Sequence, residues 1–271
     1  MTKNNNYFSV DEKVIVITGA SGQMGSEYSR VFLEEGARVV ALDINESQSL
    51  IELQSLYSDF FTFIKTDITN KNQLSEALDF ISSNIGSPEV LVNNAAIDSN
   101  PSSPPEENGL FEEYPESLWD KVIDVNLKGV FLTCQIFGGN MAKNNGGSII
   151  NISSIYGLVS PDQSLYDYRR KNKEVFFKPA PYSASKSALL NLTRYLGVYW
   201  AKKHIRVNSL TLAGVFNNQD KEFLDAYCSR IPIGRMASQN DYNGALIFLA
   251  SDSSRYMTGS NLIIDGGWTA I

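Results

Sequence analysis

Residues 13–43 restrict the fold more than any other stretch. A short apolar, β-branched run, KVIVIT (13–18), passes directly into the glycines of TGASGQMG (18–25). A helix-like segment follows from about Gln23 to Glu35, stops at Gly36, and gives way to a second apolar run, Ala37 to Leu42, closed by Asp43. Continuous β-branched runs are typical of strands buried on both faces of a parallel sheet, and a helix between two such strands makes a right-handed crossover. The glycines permit a sharp turn and a close backbone approach, and the helix start presents unpaired N–H groups suited to an anion. Glycines in such a turn can be purely structural. Asp43 adds the second half of a dinucleotide site, because a carboxylate closing the second strand can accept hydrogen bonds from ribose hydroxyls. The same carboxylate repels a 2′-phosphate, and no Arg or Lys lies in residues 18–29 or 43–49 to receive one. The expected cofactor is therefore NAD in preference to NADP.

The alternation continues along the chain. Phe60 to Thr66 predicts a third strand ending at Asp67, Lys71 to Asn84 a helix, and Glu89 to Asn93 a fourth strand running into Asn94, Ala95 and Ala96. Residues 98–117 are rich in Pro, Ser and Glu and predict an acidic surface loop. A long helix is expected from about Leu118 to Lys143, a fifth strand from Ser148 to Ile152, and a helix from Ala184 to about His204. A sixth strand, Arg206 to Leu210, short helices at 219–230 and Asp241 to Ser251, and a last strand, Leu262 to Ile264, complete the pattern. It predicts an α/β chain: a Rossmann-type doubly wound parallel sheet of about seven strands with helices on both faces, as a single domain over 1–271. At 271 residues and 43% hydrophobic content, one large core is within reach.

Charge and composition narrow the partners. A formal charge of −7 argues against nucleic acid. No run of eighteen apolar residues occurs, and the N-terminal stretch MTKNNNYFSVDEK lacks the apolar core of a signal peptide, so a cytoplasmic protein with no membrane partner is expected. The single histidine, His204, rules out multi-histidine metal sites and reads as a helix end; no metal is expected. Cys134 and Cys228 read as reduced packing residues.

Within PYSASKSALLN (181–191), Tyr182 and Lys186 stand four apart and rise from one helix face. Such a pair is often just solvated. In a half-buried cleft it can instead move protons, because a cation within about 4–6 Å favours the phenolate. Lowering a tyrosine by roughly 3 units asks for about 4 kcal/mol, which a second positive charge such as an oxidised nicotinamide would help supply. Asn126 sits as a poor helix former in an apolar stripe, with a structural or a site role equally open.

Taken together, TGASGQMG (18–25), NNAA (93–96), DVNLKG (124–129), GSIINISS (147–154), YSASK (182–186), RVNSL (206–210) and DGGW (265–268) resemble the short-chain dehydrogenase/reductase family, in order, over about residues 12–268. The resemblance implies a general acid/base at Tyr182, with Lys186 lowering its pKa and holding the nicotinamide ribose. It implies that Ser154 binds the substrate oxygen and that Asn126 keeps a water chain to Lys186. Side chains alternate along a strand, so only one of Ser153 and Ser154 can face the site, and the resemblance selects Ser154. Gly19, Ser21, Gln23, Met24, Asp43, Asp67, Ile68, Asn94, Ala95, Ala96, Val215 and Asn218 match cofactor-contacting positions, together with Tyr182 and Lys186. Association into a dimer or tetramer through the helices beginning near 118 and 184 is also implied.

Four departures stand out. The glycine loop reads TGxxGxxG, as in the extended branch, although length and the YSASK context favour the classical branch. Ala213-Gly214 replaces Pro-Gly after the sixth strand, and Asn218 replaces a threonine. The fourth is a 28-residue separation of Ser154 and Tyr182, which marks an insertion at about 162–179 where the substrate would lie. Its run RRKNKEVFFK (169–178) holds five basic residues against one acid. It can be a solvated loop or a subunit contact, or a lid presenting Arg169, Arg170 or Lys173 to an anionic substrate such as a phosphorylated or nucleotide-linked sugar.

The expected activity is NAD-dependent interconversion of a small secondary alcohol and its ketone, with a sugar or sugar phosphate as candidate substrate. The insertion and the C-terminal half are similar to members in bacterial surface-sugar biosynthesis, the flagellin-modification and nonulosonic-acid pathways. Two alternatives are a sugar-nucleotide epimerase or dehydratase with tightly held NAD, and a non-catalytic NAD sensor.

Overall fold

A computed structural model describes residues 6–99 and 107–271. The first residues of the N-terminal stretch and residues 100–106 of the acidic loop lie outside the described residues. The apolar runs all become strands: β1 Val14–Thr18, β2 Arg38–Asp43, β3 Phe61–Lys65, β4 Val90–Asn93, β5 Gly147–Ser154, β6 Ile205–Leu212 and β7 Asn261–Ile264. They form one sheet in the order β3-β2-β1-β4-β5-β6-β7, and every pairing is parallel. The order reverses at β1, whose neighbours are β2 and β4, so the crevice above the strand ends opens at this switch point.

Among the described residues the helices are α1 Gln23–Glu34, α2 Gln48–Leu56, α3 Lys71–Asn84, α4 over 116–141, α5 Asp167–Lys171, α6 Ala180–Trp200, α7 Lys221–Cys228 and α8 Asn243–Ala250. Strand periodicity assigns them to two layers. Ile15, Ile17, Val39 and Ala41 point to one side and pack with Tyr28 and Phe32 of α1, Leu50 of α2 and Leu246 of α8. Val14, Val16, Val40 and Leu42 point to the other and pack with Leu74 of α3, Phe137 of α4 and Leu189 of α6. Each fully buried side chain of this kind contributes about 1.5–3 kcal/mol, which makes these two cores the main source of stability.

Several boundaries differ from the sequence reading. Helix α2 is unforeseen; it carries only two buried residues, Leu50 and Leu53, and is started by Ser47, whose hydroxyl accepts from Leu50 N. Helix α4 begins two residues early, after Pro115, and contains two wider π-helical turns, Asp124–Gly129 and Cys134–Gly138. Helix α6 begins at Ala180 because Pro181 occupies its first turn, where a missing N–H costs nothing. The insertion folds into a turn, Gln163–Tyr166, and α5, and packs Tyr166 and Phe176 against Phe223 and Tyr227 of α7 in a third, small core. His204 does end a helix, in the left-handed conformation at φ 57°. Cys134 is buried and Cys228 partly so, both as free thiols. Among the described residues no helix is long and apolar enough to cross a membrane.

Candidate active site

A cavity of about 740 Å³ opens at the carboxyl ends of the central strands. At one end stands the glycine turn. Gly19 has φ +63°, and a Cβ there would lie 2.5 Å from the Ala95 Cα; a Cβ on Gly25 would lie 2.2 Å from the Gly19 carbonyl oxygen. The turn is pinned by Asn94, whose Nδ2 donates to the carbonyls of Thr18 (3.1 Å) and Gly19 (2.9 Å). Thr18 Oγ1 accepts in turn from the amides of Asn94 and Ala95, 3.1 Å each. Helix α1 starts at Gln23 with Gly22 before it and no side chain capping its first N–H groups. A tight turn beneath an uncapped helix start fits a pyrophosphate.

Asp43 closes β2 beside this turn. Its carboxylate accepts from Ser21 N at 2.9 Å and Asn45 N at 3.2 Å, and the Ser21 hydroxyl donates to the Asn45 carbonyl. Lys65 stands opposite Asp43 in the register of β3, a cation that the sequence windows around the turn do not contain. Asp67 Oδ1 accepts from the amide and the hydroxyl of Thr69, both at 2.8 Å, and Ile68 is buried beside it. Gln23 reaches across to donate its Nε2 to the Phe216 carbonyl at 2.9 Å, joining the turn to the segment after β6. Of the residues expected to hold a cofactor, Met24, Asn94, Ala96, Val215, Asn218, Tyr182 and Lys186 line the cavity itself. Gly19, Ser21, Gln23, Asp43, Asp67, Ile68 and Ala95 do not; they build the turn and the adjoining strand ends.

At the other end three of the four expected catalytic residues, Ser154, Tyr182 and Lys186, line the cavity; Asn126 lies outside its lining, hydrogen-bonded to Ser185. Ser154 is the last residue of β5 and lines the cavity with Tyr182, its hydroxyl accepting from Tyr156 N at 3.2 Å, while the Ser153 hydroxyl donates to the Lys186 carbonyl at 3.1 Å. Lys186, one turn beyond Tyr182 on α6, is buried, donates Nζ to the Ile152 carbonyl at 2.7 Å and lies 5.7 Å from the centre of the Tyr182 ring. Asn126 is fully buried in the first π-helical turn. It exchanges two 2.8 Å bonds with the backbone of Ile97, accepting from the amide and donating to the carbonyl, and donates to Ser185 Oγ at 3.2 Å. One Oδ1 lone pair remains for a water.

The electrostatics differ from the sequence expectation. Burial, with the Asp98 charge second, pushes the Tyr182 phenol well above its ordinary value; the Ser154 hydrogen bond pulls the other way. Burial likewise pushes the Lys186 ammonium down to about 8, opposed by Asp98. Burial and the Asp98 charge thus keep the phenol protonated, while Lys186, at about 8, still carries its proton at neutral pH.

The insertion also departs from expectation. Arg169 lines the cavity, but its guanidinium pairs with Glu174 at 2.9 Å and stacks over Phe176 at 4.6 Å. Arg170 does not reach the cavity; it bonds Asp167 and the carbonyls of Gln163 and Phe176 and lies over Phe177. Two residues absent from the sequence reading take their place at the substrate end: Asp98, from the loop after β4, and Lys178, from the end of the insertion, form an ion pair beside Tyr182. Asp220 also lines the cavity and accepts from the Tyr168 hydroxyl at 2.8 Å. The Tyr227 hydroxyl accepts from Gly214 N at 2.7 Å and its ring stacks on Trp268.

The chain is similar to known proteins along nearly its whole length. A family model described as "Enoyl-(Acyl carrier protein) reductase" matches residues 19–269. The chain is 31% identical to an NAD-dependent glycerol dehydrogenase of Listeria innocua, over 97% of this chain and 96% of the other. Among solved structures, a short chain dehydrogenase of Leptospira borgpetersenii with bound NAD+ is 32% identical with a TM-score of 0.86, covering 99% of this chain and 97% of the other. A gluconate 5-dehydrogenase of Burkholderia cenocepacia in complex with NADP and tartrate is 27% identical with a TM-score of 0.84, covering 98% of each chain.

Proposed function

The chain belongs to the short-chain dehydrogenase/reductase family, whose members are oxidoreductases of CH–OH groups, and on that premise we propose that it is an NAD-dependent dehydrogenase of small polyhydroxylated alcohols. The observation that supports this most is the convergence of Ser154, Tyr182 and the buried Lys186 at the end of a cavity whose opposite end is a glycine turn with the shape of a pyrophosphate cradle. The NAD preference rests on Asp43, placed to accept from ribose hydroxyls. The glycerol dehydrogenase relative agrees with a small polyol as substrate.

Held by Met24, Asn94, Ala96, Val215, Asn218 and Lys186, an oxidised nicotinamide cofactor would supply the hydride acceptor and a positive charge. The protein does the rest. Ser154 and Tyr182 hold the carbinol oxygen between their hydroxyls, and Tyr182 takes its proton as the carbon gives up hydride. Lys186, fixed on the Ile152 carbonyl, orients the ribose and keeps a cation near the phenolate as it forms. Asn126 holds the exit of β4 against Ser185 and leaves one carbonyl lone pair for a water that links Lys186 to solvent. Phe223 and Tyr227 of α7 and Tyr166 of the insertion form walls of this cavity. An exposed apolar stripe on α6, Tyr195, Val198 and Tyr199, supports the expected association between copies.

The test is a panel of polyols, sugars and sugar phosphates, each supplied with NAD and followed at the absorbance of the reduced cofactor. Reduction with a neutral polyol is expected. Absence of net reduction with every alcohol, in a protein that retains NAD through purification, would replace the dehydrogenase reading with that of an epimerase or dehydratase.

A further inference from the structure

The ion pair between Asp98 and Lys178 is formed across 80 positions of sequence at the substrate end of the cavity. Lys178 is held from both sides of its own backbone by one side chain: Gln163 Nε2 donates to its carbonyl at 3.0 Å and Gln163 Oε1 accepts from its amide at 2.8 Å. Its side chain is only 9% exposed, against 38% for Asp98, and its Nζ reaches Ser99 Oγ at 3.3 Å. The ammonium lies 5.3 Å from the centre of the Tyr182 ring, a distance comparable to that of Lys186. It is therefore a donor held in place beside the Tyr182 ring, paired with Asp98 in the cavity that Ser154 and Tyr182 also line.

We infer that Asp98 and Lys178 together read the hydroxyl next to the reacting carbinol, and so select neutral vicinal diols over both monohydric alcohols and anionic substrates. A hydroxyl is donor and acceptor at once, so it satisfies the carboxylate and the ammonium without separating them. A substrate carboxylate or phosphate would have to displace Asp98 from Lys178, leaving an unpaired carboxylate beside the phenol. The insertion offers no easier route for an anion, because Arg169 is matched by Glu174 and Arg170 by Asp167 and two carbonyls. A monohydric alcohol leaves the pair facing an alkyl group, the situation in which a site built for a hydroxyl discriminates most strongly.

The inference rests on the dehydrogenase reading, and its test separates the two. Specificity constants are compared for 2,3-butanediol, 2-butanol, glycerol and glycerate with NAD, in the wild type, Lys178→Met and Asp98→Asn. The wild type should favour the diol over 2-butanol by at least ~100-fold and glycerol over glycerate, and either substitution should cut the diol preference at least ~10-fold. An unchanged diol-to-monoalcohol ratio in both variants, or a wild type that prefers glycerate, overturns it. If no alcohol is turned over, calorimetric titration of 2,3-butanediol and 2-butanol into NAD-saturated protein gives the same decision. Tighter diol binding that Lys178→Met abolishes sustains the inference while the dehydrogenase reading falls; equal binding of the two alcohols refutes it.

Discussion

Asp43→Ala should convert a strong NAD preference into near-indifference or a preference for NADP. The carboxylate spends part of its acceptor capacity on Ser21 N (2.9 Å) and Asn45 N (3.2 Å), and both oxygens keep lone pairs for ribose hydroxyls. A hydrogen bond to a charged acceptor contributes about 1.5–3 kcal/mol, so its loss lowers NAD affinity by roughly 10- to 150-fold. For NADP the sign reverses. A unit negative charge about 4 Å from the carboxylate costs at most about 4 kcal/mol at a partly screened site, and the substitution removes that cost. It also leaves Lys65, opposite position 43 in the β3 register, to face the 2′-phosphate. The ratio of kcat/KM for NAD to that for NADP, at saturating alcohol, should fall by ~100-fold or more, the combined effect of the two terms. Loss of the Ser21 contact loosens the turn for both cofactors alike, so only the ratio reports selectivity. A ratio that changes less than threefold, or a wild type that already prefers NADP, refutes the charge argument.

Gly25→Ala should cripple nucleotide binding, since its Cβ would sit 2.2 Å from the Gly19 oxygen and 2.6 Å from the Ala20 Cα, both backbone atoms. Overpacking of this kind costs about 1–3 kcal/mol, to be seen as a weaker calorimetric NAD affinity together with a lower Tm; wild-type affinity would show that the turn needs no such close packing. Lys186 titrates near 8 in the fold, below its ordinary lysine value, so between about 8 and that value the unfolded chain binds the extra proton and this residue's contribution makes the fold more stable as pH rises. Urea unfolding at pH 7.5 and 9.5 should show that rise in the wild type and a smaller one in Lys186→Met; equal slopes would mean the amine is not desolvated.

The fold was legible because its signals are local. Each of the seven strands is a short apolar run, and the turn at Gly19 and Gly25 is marked by residues that nothing larger could replace. Tyr182 and Lys186 were legible as a pair because their spacing puts them on one helix face, whereas Ser154 was picked out from Ser153 only by the family resemblance. Helix α2 escaped because two buried leucines leave almost no amphipathic signal over nine residues. Helix α6 starts four residues before the expected Ala184, with Pro181 in its first turn. The insertion misled for a different reason. Counted along the chain, RRKNKEVFFK is strongly basic, but Asp167 and Glu174 neutralise its arginines from within the same segment and Asp98 neutralises Lys178 from 80 positions away. Pairings made by tertiary structure leave no mark in local composition. The Tyr182 phenol was expected low because Lys186 is one turn away; burial and the Asp98 charge, neither visible in the spacing, set it high instead.

Replacing the Tyr182 hydroxyl is the most direct trial of the account. Tyr182→Phe keeps the ring packed in α6 and removes only the proton carrier that Ser154 contacts. Its kcat with a vicinal diol and NAD should fall by about 10²- to 10⁴-fold, the usual contribution of a positioned acid/base, while NAD still binds in calorimetry. A variant that oxidises the diol at close to the wild-type rate would show that the proton leaves by another group, and the proposed chemistry of this site would be wrong.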